Sequence, residues 1–106
     1  MHTMTNEALL VEVRRRLVGT VDAVKVIVFG SRARGDARPD SDLDLIVVVR
    51  AGGSPGERGV PVRRALRDLD VPKDVLVYTV EEYERYRTYP SSVVHAAERE
   101  GVVLHG

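Results

Sequence analysis

Two short motifs in this chain carry residues that can bind phosphate and metal ions. Gly30-Ser31 follows the apolar run 26–29, and Asp42-Leu43-Asp44 begins after ten further residues. A glycine lets a phosphate approach the main chain, and exposed amides and a serine hydroxyl supply donors for it. Carboxylates two residues apart in a strand point to the same face. The spacing therefore predicts a phosphate-binding turn beside a pair of acids.

Asp42 and Asp44 predict a divalent-cation site. Two ionised carboxylates 4 Å apart repel each other by about 4 kcal/mol at an effective dielectric constant near 20, and a cation relieves that repulsion. Oxygen ligands in a chain without cysteine favour Mg²⁺, which completes its octahedron with water and substrate phosphates. Two such ions about 3.5–4 Å apart can hold an attacking and a leaving oxygen in line. We therefore expect two Mg²⁺ ions here.

A third carboxylate usually completes such a two-ion site. Asp74 is the best candidate, because it stands at the entrance of the short apolar strand predicted at residues 74–78. Asp70 is the alternative, but Val71 and Pro72 separate it from that strand, and a proline makes continuous pairing across the gap improbable. We therefore expect Asp74 to be the third metal ligand.

The predicted strands bring these residues to one edge of a sheet. Strands at 25–29 and 43–49 would pair antiparallel, which places Gly30 beside Asp42. A helix between residues 50 and 73 would make the next connection a parallel crossover, with Asp74 level with Asp42. The predicted fold class is α/β (α+β): a small mixed β-sheet with helices packed on it.

Apolar periodicity predicts the helices before the third strand. The first helix ends at Gly19 and turns four residues inward: Leu9, Leu10, Val13 and Leu17. Residues 50–59 are expected to form a flexible surface loop. Pro61 then suits the first turn of a helix whose buried stripe is Val62, Ala65, Leu66 and Leu69.

After the third strand, Thr79 and Glu82 have the spacing of a capping box, which begins a helix that Pro90 interrupts. A second helix runs from about Ser91 to a cap at Gly101, with Val93, Val94 and Ala97 inward, and residues 102–104 add an edge strand. The tyrosines between 83 and 89 either cover the sheet or form an exposed surface for a partner.

Composition limits the function classes. The 106 residues suit a single domain, 1–106, and 16 basic residues balance 16 acidic ones, so no direct DNA binding is expected. No apolar run approaches about 18 residues and no signal peptide is visible, which predicts a cytoplasmic protein without a membrane anchor. Arg32 and Arg34 flank the phosphate turn, where a guanidinium suits a triphosphate, whereas the arginines at 14–16 and 63–67 are expected to form solvated helix faces.

The motifs resemble the signature of minimal nucleotidyltransferases of the DNA polymerase β superfamily: Gly-Ser, a spacer of this length, Asp-x-Asp and a later acid. Nearly the whole chain is similar to the small stand-alone members that act as antitoxins in HEPN/MNT toxin–antitoxin pairs. The resemblance implies a polymerase β-like fold with ATP as substrate. It also implies that Gly30 and Ser31 hold the nucleotide phosphates, that Asp42 and Asp44 bind Mg²⁺, and that Asp74 completes the site.

Three functions are compatible with these features. The first is transfer of AMP from ATP to a hydroxyl, a tyrosine of a HEPN-type toxin, which this chain would thereby neutralise. The second is a non-catalytic module that neutralises its partner by complex formation. The third is transfer to a small molecule of the aminoglycoside type, which ranks lowest because no second lobe is available to form an acceptor pocket. The sequence leaves the identity of the nucleotide open.

Overall fold

The computed structural model describes residues 4–50 and 53–106. In these ranges the chain forms five helices and four strands. In chain order they are α1 (Asn6–Thr20), β1 (Ala23–Phe29), α2 (Ser31–Arg34), β2 (Leu43–Val49), α3 (Pro55–Leu66), β3 (Lys73–Thr79), α4 (Val80–Tyr86), α5 (Val93–Glu100) and β4 (Val102–His105). No helix in these ranges is both long enough and apolar enough to cross a membrane.

The four strands form one mixed sheet in the order β3-β2-β1-β4. β1 is antiparallel to β2 and to β4, whereas β2 and β3 are parallel and are joined through α3. The predicted mixed sheet, the parallel crossover and the edge strand near the C-terminus are thereby confirmed. The predicted level of Asp74 is wrong by two residues, because β3 begins at Lys73 opposite Leu43, and Asp74 therefore pairs with Asp44.

Helices cover both faces of the sheet. α1 and α3 pack on the face that carries Leu43, Leu45 and Val47 of β2, and α4 and α5 pack on the face that carries Ile46 and Val48. Because side chains alternate along a strand, Asp44 belongs to the α4/α5 face. This face is therefore apolar beneath the helices and acidic where β2 begins.

The start of α3 differs from the sequence prediction. Ser54 is its N-cap and accepts a hydrogen bond from Glu57 N at 3.3 Å, and Pro55 occupies the first turn. The predicted loop 50–59 is therefore wrong from Pro55 onwards, where the chain is helical. Pro61, predicted in the first turn, lies inside the helix. Residues 51–52 of the predicted loop lie outside the described ranges. The predicted inward residues Val62, Leu66 and Leu69 are buried, with Ala65 partly so. α1 also extends one residue past Gly19.

The C-terminal elements largely follow the prediction. The capping box of Thr79 and Glu82 is present, and α4 ends at Tyr86, before Pro90. Ser92 caps α5, in which Val94 and Ala97 are buried. The inward position predicted for Val93 is wrong, because it is the first residue of α5 and lies one residue out of phase with the buried pair, with 38% of its surface exposed.

Candidate functional site

The turn after β1 has a backbone conformation that requires glycine. Gly30 has φ 74° and ψ −154°, a region that is almost exclusive to glycine. Its carbonyl accepts hydrogen bonds from Ala33 N at 3.0 Å and Arg34 N at 3.1 Å, which close the single turn of α2. Ser31, half-buried, is the first residue of this helix. We call Gly30-Ser31, the turn predicted from the sequence to bind phosphate, the phosphate turn.

Asp44 lies directly against the phosphate turn. The antiparallel register pairs Asp44 with Phe29, the last residue of β1. A Cβ atom at Gly30 would overlap the Oδ2 atom of Asp44, so the carboxylate occupies the space that only a glycine leaves free. The end of β1 and the start of β2 thus bring the turn and one acid together.

Asp74 and Asp42 lie near Asp44. Asp74 is the partner of Asp44 in the parallel register, and Asp42 lies two residues before Asp44. Burial raises the pKa of the Asp44 carboxyl, and the charges of Asp74 and then Asp42 raise it further, whereas Arg34 lowers it. The three acids therefore interact electrostatically. Asp70 lies before Pro72, outside β3, and lines a cavity with Leu9 and Leu69 on the α1/α3 side.

The acids suit a hard cation that shares its ligands with a substrate. Within residues 4–50 and 53–106, no three His, Cys, Asp or Glu side chains already surround a common metal position. Asp44 is partly buried, whereas Asp42 and Asp74 are exposed. Neighbouring carboxylates that repel each other nevertheless match the preference of Mg²⁺, which takes one or two protein carboxylates and completes its shell with water and phosphate oxygens. The donor set thus fits Mg²⁺ as a shared ion and does not form a closed protein cage.

The two arginines near the turn have different environments. Arg32 is 4% exposed, and its guanidinium donates to main-chain carbonyls of the loop 38–41 and to Asn6. Arg34 is exposed, and its Nε lies 3.5 Å from Asp36 Oδ2. The positive charge of Arg34 lowers the pKa of the Asp44 carboxyl. The Arg32 guanidinium is thus engaged by the loop and Asn6, whereas that of Arg34 is exposed.

A cavity beside the phosphate turn could accommodate part of a ligand. Its volume is about 350 Å³. Its lining consists of Phe29, Gly30, Arg34, Ala96, Ala97 and Glu100. The lining thus combines small side chains of α5 with one basic and one acidic residue, and it includes the glycine of the turn.

Sequence reasoning did not identify Asn6. It is the first residue of α1, and its Nδ2 donates to the carbonyl of Arg32 at 2.9 Å, while its Oδ1 accepts from Arg32 Nη1 at 3.0 Å. The two residues lie 26 positions apart, and neither apolar periodicity nor a motif relates them. Only the packing of α1 against the phosphate-turn segment reveals the pair.

We compared the chain with protein-family models, curated proteins and solved structures. Residues 9–102 match the family model of the nucleotidyltransferase domain. A search of curated proteins with the sequence found no match. Among solved structures, the chain is similar to a candidate nucleotidyltransferase from Sulfolobus solfataricus, with a TM-score of 0.57 and 23% identity over 92% of this chain and 77% of that one.

A second solved structure is that of a toxin–antitoxin with AMP-PNP. The TM-score is 0.63 and the identity is 19%, over 92% of this chain and 73% of that one. Because both sequence identities are below 25%, the two similarities show the fold alone.

Proposed function

The chain belongs to the nucleotidyltransferase domain family, and on that premise we propose that it transfers AMP from ATP to a hydroxyl group. The observation that carries this proposal is the contact of Asp44 with the phosphate turn, in register with Asp74. It supports the proposal because a turn with free space for an anion and acids that suit Mg²⁺ then lie at one edge of the sheet. Nucleotidyl transfer needs these two components together.

Each residue of the site has a role in this reaction. Gly30 and Ser31 bind the β- and γ-phosphates, and Arg34 adds positive charge. Asp42, Asp44 and Asp74 would hold two Mg²⁺ ions, which supply charge neutralisation and alignment when bound. Asp74 also orients the acceptor hydroxyl and takes its proton. The hydroxyl oxygen bonds to the α-phosphorus, the bond to the bridging oxygen breaks, and pyrophosphate leaves in line.

The acceptor we propose is a tyrosine of a HEPN-type toxin, which makes this chain an antitoxin of the cytoplasm. Support comes from the fold shared with the toxin–antitoxin that was solved with AMP-PNP.

Labelling of the partner tests this proposal. The chain, a HEPN-type toxin, α-labelled ATP and Mg²⁺ are incubated, and label on the toxin is followed by gel and mass spectrometry. We expect Asp42→Asn with Asp44→Asn to abolish labelling and Asp74→Asn to reduce it by at least about 100-fold. Asp70→Asn is the matched control and should retain labelling. Equal labelling by the double variant and the wild type would refute the proposal.

One observation favours a second function, neutralisation by binding alone. Tyr78, Tyr86 and Tyr89 form a row of edge-to-face rings with centroids 5.8 Å and 6.2 Å apart, and Tyr89 is 49% exposed. Aromatic side chains of this kind are common in protein interfaces. If binding suffices, the double aspartate variant will still protect cells from the toxin, whereas Tyr89→Ala will weaken that protection.

A further inference from the structure

The loop between the phosphate turn and the acids is held by one buried cation. Carbonyl oxygens of three loop residues accept from the Arg32 guanidinium: Arg38 at 3.3 Å, Pro39 at 3.2 Å, and Ser41 at 2.8 Å from Nη2 and 3.2 Å from Nε. Among the described residues no carboxylate forms an ion pair with Arg32. A buried charge of this kind depends on its oxygen partners.

Two hydrogen bonds within the loop close a small turn, and Arg32 holds this turn against α2. Ser41 N donates to Arg38 O at 3.0 Å, and Arg38 N donates to Ser41 Oγ at 2.7 Å. This small turn ends one residue before Asp42. Its position relative to α2 is set by the side chain of Arg32, because Arg32 belongs to α2 and its donors reach the loop. The sheet register places Asp44 and Asp74, whereas the position of Asp42, which follows this loop, depends on Arg32.

Asn6 fixes Arg32 from the other side. It accepts from the guanidinium and donates to the main-chain carbonyl of the same residue, so side chain and backbone of Arg32 are held together. Asn6 itself is placed by the start of α1, where the Thr5 side chain accepts from Ala8 N. The beginning of α1 is thereby connected to the loop 38–41 through a single arginine.

We propose that Asn6 is a positioning residue of the nucleotidyl-transfer site. Through Arg32 it holds the loop 38–41 and so sets where Asp42, the residue that follows this loop and precedes β2, lies relative to the phosphate turn and to Asp44. The expected effect on kcat rests on the proposed function, whereas the expected effect on the loop structure does not. Asn6 contacts neither phosphate nor acid, and its effect is on alignment, for which an error of about 1 Å can cost about 100-fold in rate.

Amide hydrogen exchange tests the structural half without any reaction. In Asn6→Ala, we expect amides of the peptide 36–44 to exchange about fivefold faster than in the wild type, the effect of one net hydrogen bond. Asn6→Asp keeps the oxygen that accepts from Arg32 and should give an intermediate result. Glu7→Ala is the control, because Glu7 is exposed in the same turn of α1 and its removal weakens the helix start alone. Peptides from β1 should stay unchanged in all variants.

Steady-state kinetics tests the catalytic half. We expect kcat of Asn6→Ala to fall about tenfold while KM for ATP stays within about twofold, because phosphate-turn contacts persist and alignment is lost. Unchanged exchange in Asn6→Ala, or equal effects of Glu7→Ala, would overturn the inference. So would faster exchange with unchanged kcat.

If the wild type transfers no nucleotide, the proposed function fails, and exchange with Mg²⁺ and AMP-PNP decides the inference instead. Protection of the peptide 36–44 by AMP-PNP in the wild type and its loss in Asn6→Ala would support it. Equal protection in both proteins would refute it.

Discussion

At the residue scale, Gly30 meets two separate demands. Its positive φ permits the turn at the end of β1, and its missing side chain makes room for the Asp44 carboxylate. The first demand concerns stability and the second concerns the position of an acid. Gly35 meets only the first of these demands. Its φ is 86°, and no atom of a non-neighbouring residue lies within 4 Å of the position that a Cβ would take.

The pair Gly30→Ala and Gly35→Ala separates these demands. Gly35→Ala should lower the free energy of unfolding by about 1–2 kcal/mol, the cost of a left-handed backbone for an L-residue. Gly30→Ala should lower it by more, because its ψ of −154° lies in a region almost exclusive to glycine and its Cβ would overlap the Asp44 carboxylate. Only Gly30→Ala should displace Asp44 and reduce nucleotidyl transfer, by at least about 100-fold. Urea denaturation and the labelling assay measure the two effects. Comparable losses of transfer in both variants would show that strain alone, and not the contact with Asp44, limits the reaction.

Residues in local sequence motifs could be predicted, whereas residues whose role depends on contacts with distant parts of the chain could not. Asp42 and Asp44 carry a recognisable spacing, and the strand that begins at Leu43, between them, is apolar beyond Asp44, so their place at a strand entrance follows from the sequence. The role of Arg32 did not follow, because a guanidinium near a phosphate turn suggests a phosphate contact. Its burial against carbonyls and Asn6 depends on how α1 packs, which no local pattern encodes.

At the element scale, the strands were predicted well because each is a β-branched run with a clear boundary. α3 was not, because Gly-rich residues and two prolines disguise its first two turns. Pro61 has no amide hydrogen, so Glu57 O lacks its partner four residues on, and the helix tolerates this on its exposed side. The buried stripe of Val62 and Leu66 then maintains the helix through packing, which overrides local propensity.

Replacement of Pro61 tests that explanation. We expect Pro61→Ala to raise the free energy of unfolding by about 1–2 kcal/mol, since alanine restores the amide donor and is favoured over proline in a helix interior by about 3 kcal/mol, part of which the more flexible unfolded chain offsets. Val60→Ala, at an exposed neighbouring position, should change it by no more than about 0.5 kcal/mol. Chemical denaturation gives both values. A loss of stability in Pro61→Ala would mean that the ring contributes packing that outweighs the missing hydrogen bond.

At the scale of the whole molecule, the site forms where strands of opposite direction meet at one end of the sheet. β1 ends there, whereas β2 and β3 begin there, so a turn and two strand entrances are adjacent. The antiparallel and parallel pairings together were predictable from connection lengths. The register was less predictable: Lys73 of β3 lies opposite Leu43, so Asp74 aligns with Asp44, two residues from the predicted partner Asp42.

This clustering of acids should reduce the stability of the metal-free molecule. Burial and the neighbouring charges of Asp74 and Asp42 raise the pKa of Asp44 above its ordinary value of 3.8. The folded protein then binds more protons than the unfolded chain just above that pH, so the contribution of Asp44 to stability falls as pH rises through the raised pKa. Asp44→Asn removes this unfavourable contribution. Without metal, we expect the variant to gain stability relative to the wild type as the pH rises from about 4 to about 7.

At neutral pH, added Mg²⁺ should make the wild type more stable than Asp44→Asn. An ion that binds only the folded wild type stabilises it by about 2.7 kcal/mol at a hundredfold excess over Kd, and Asp44→Asn should show little of this gain. Asp70→Asn, which removes an acid outside β3, should respond to Mg²⁺ as the wild type does. Thermal unfolding with EDTA and with Mg²⁺, at both pH values, provides the comparison. Equal stabilisation of Asp44→Asn and the wild type would place the cation elsewhere, because the acid that lies against Gly30 would then have no part in holding it.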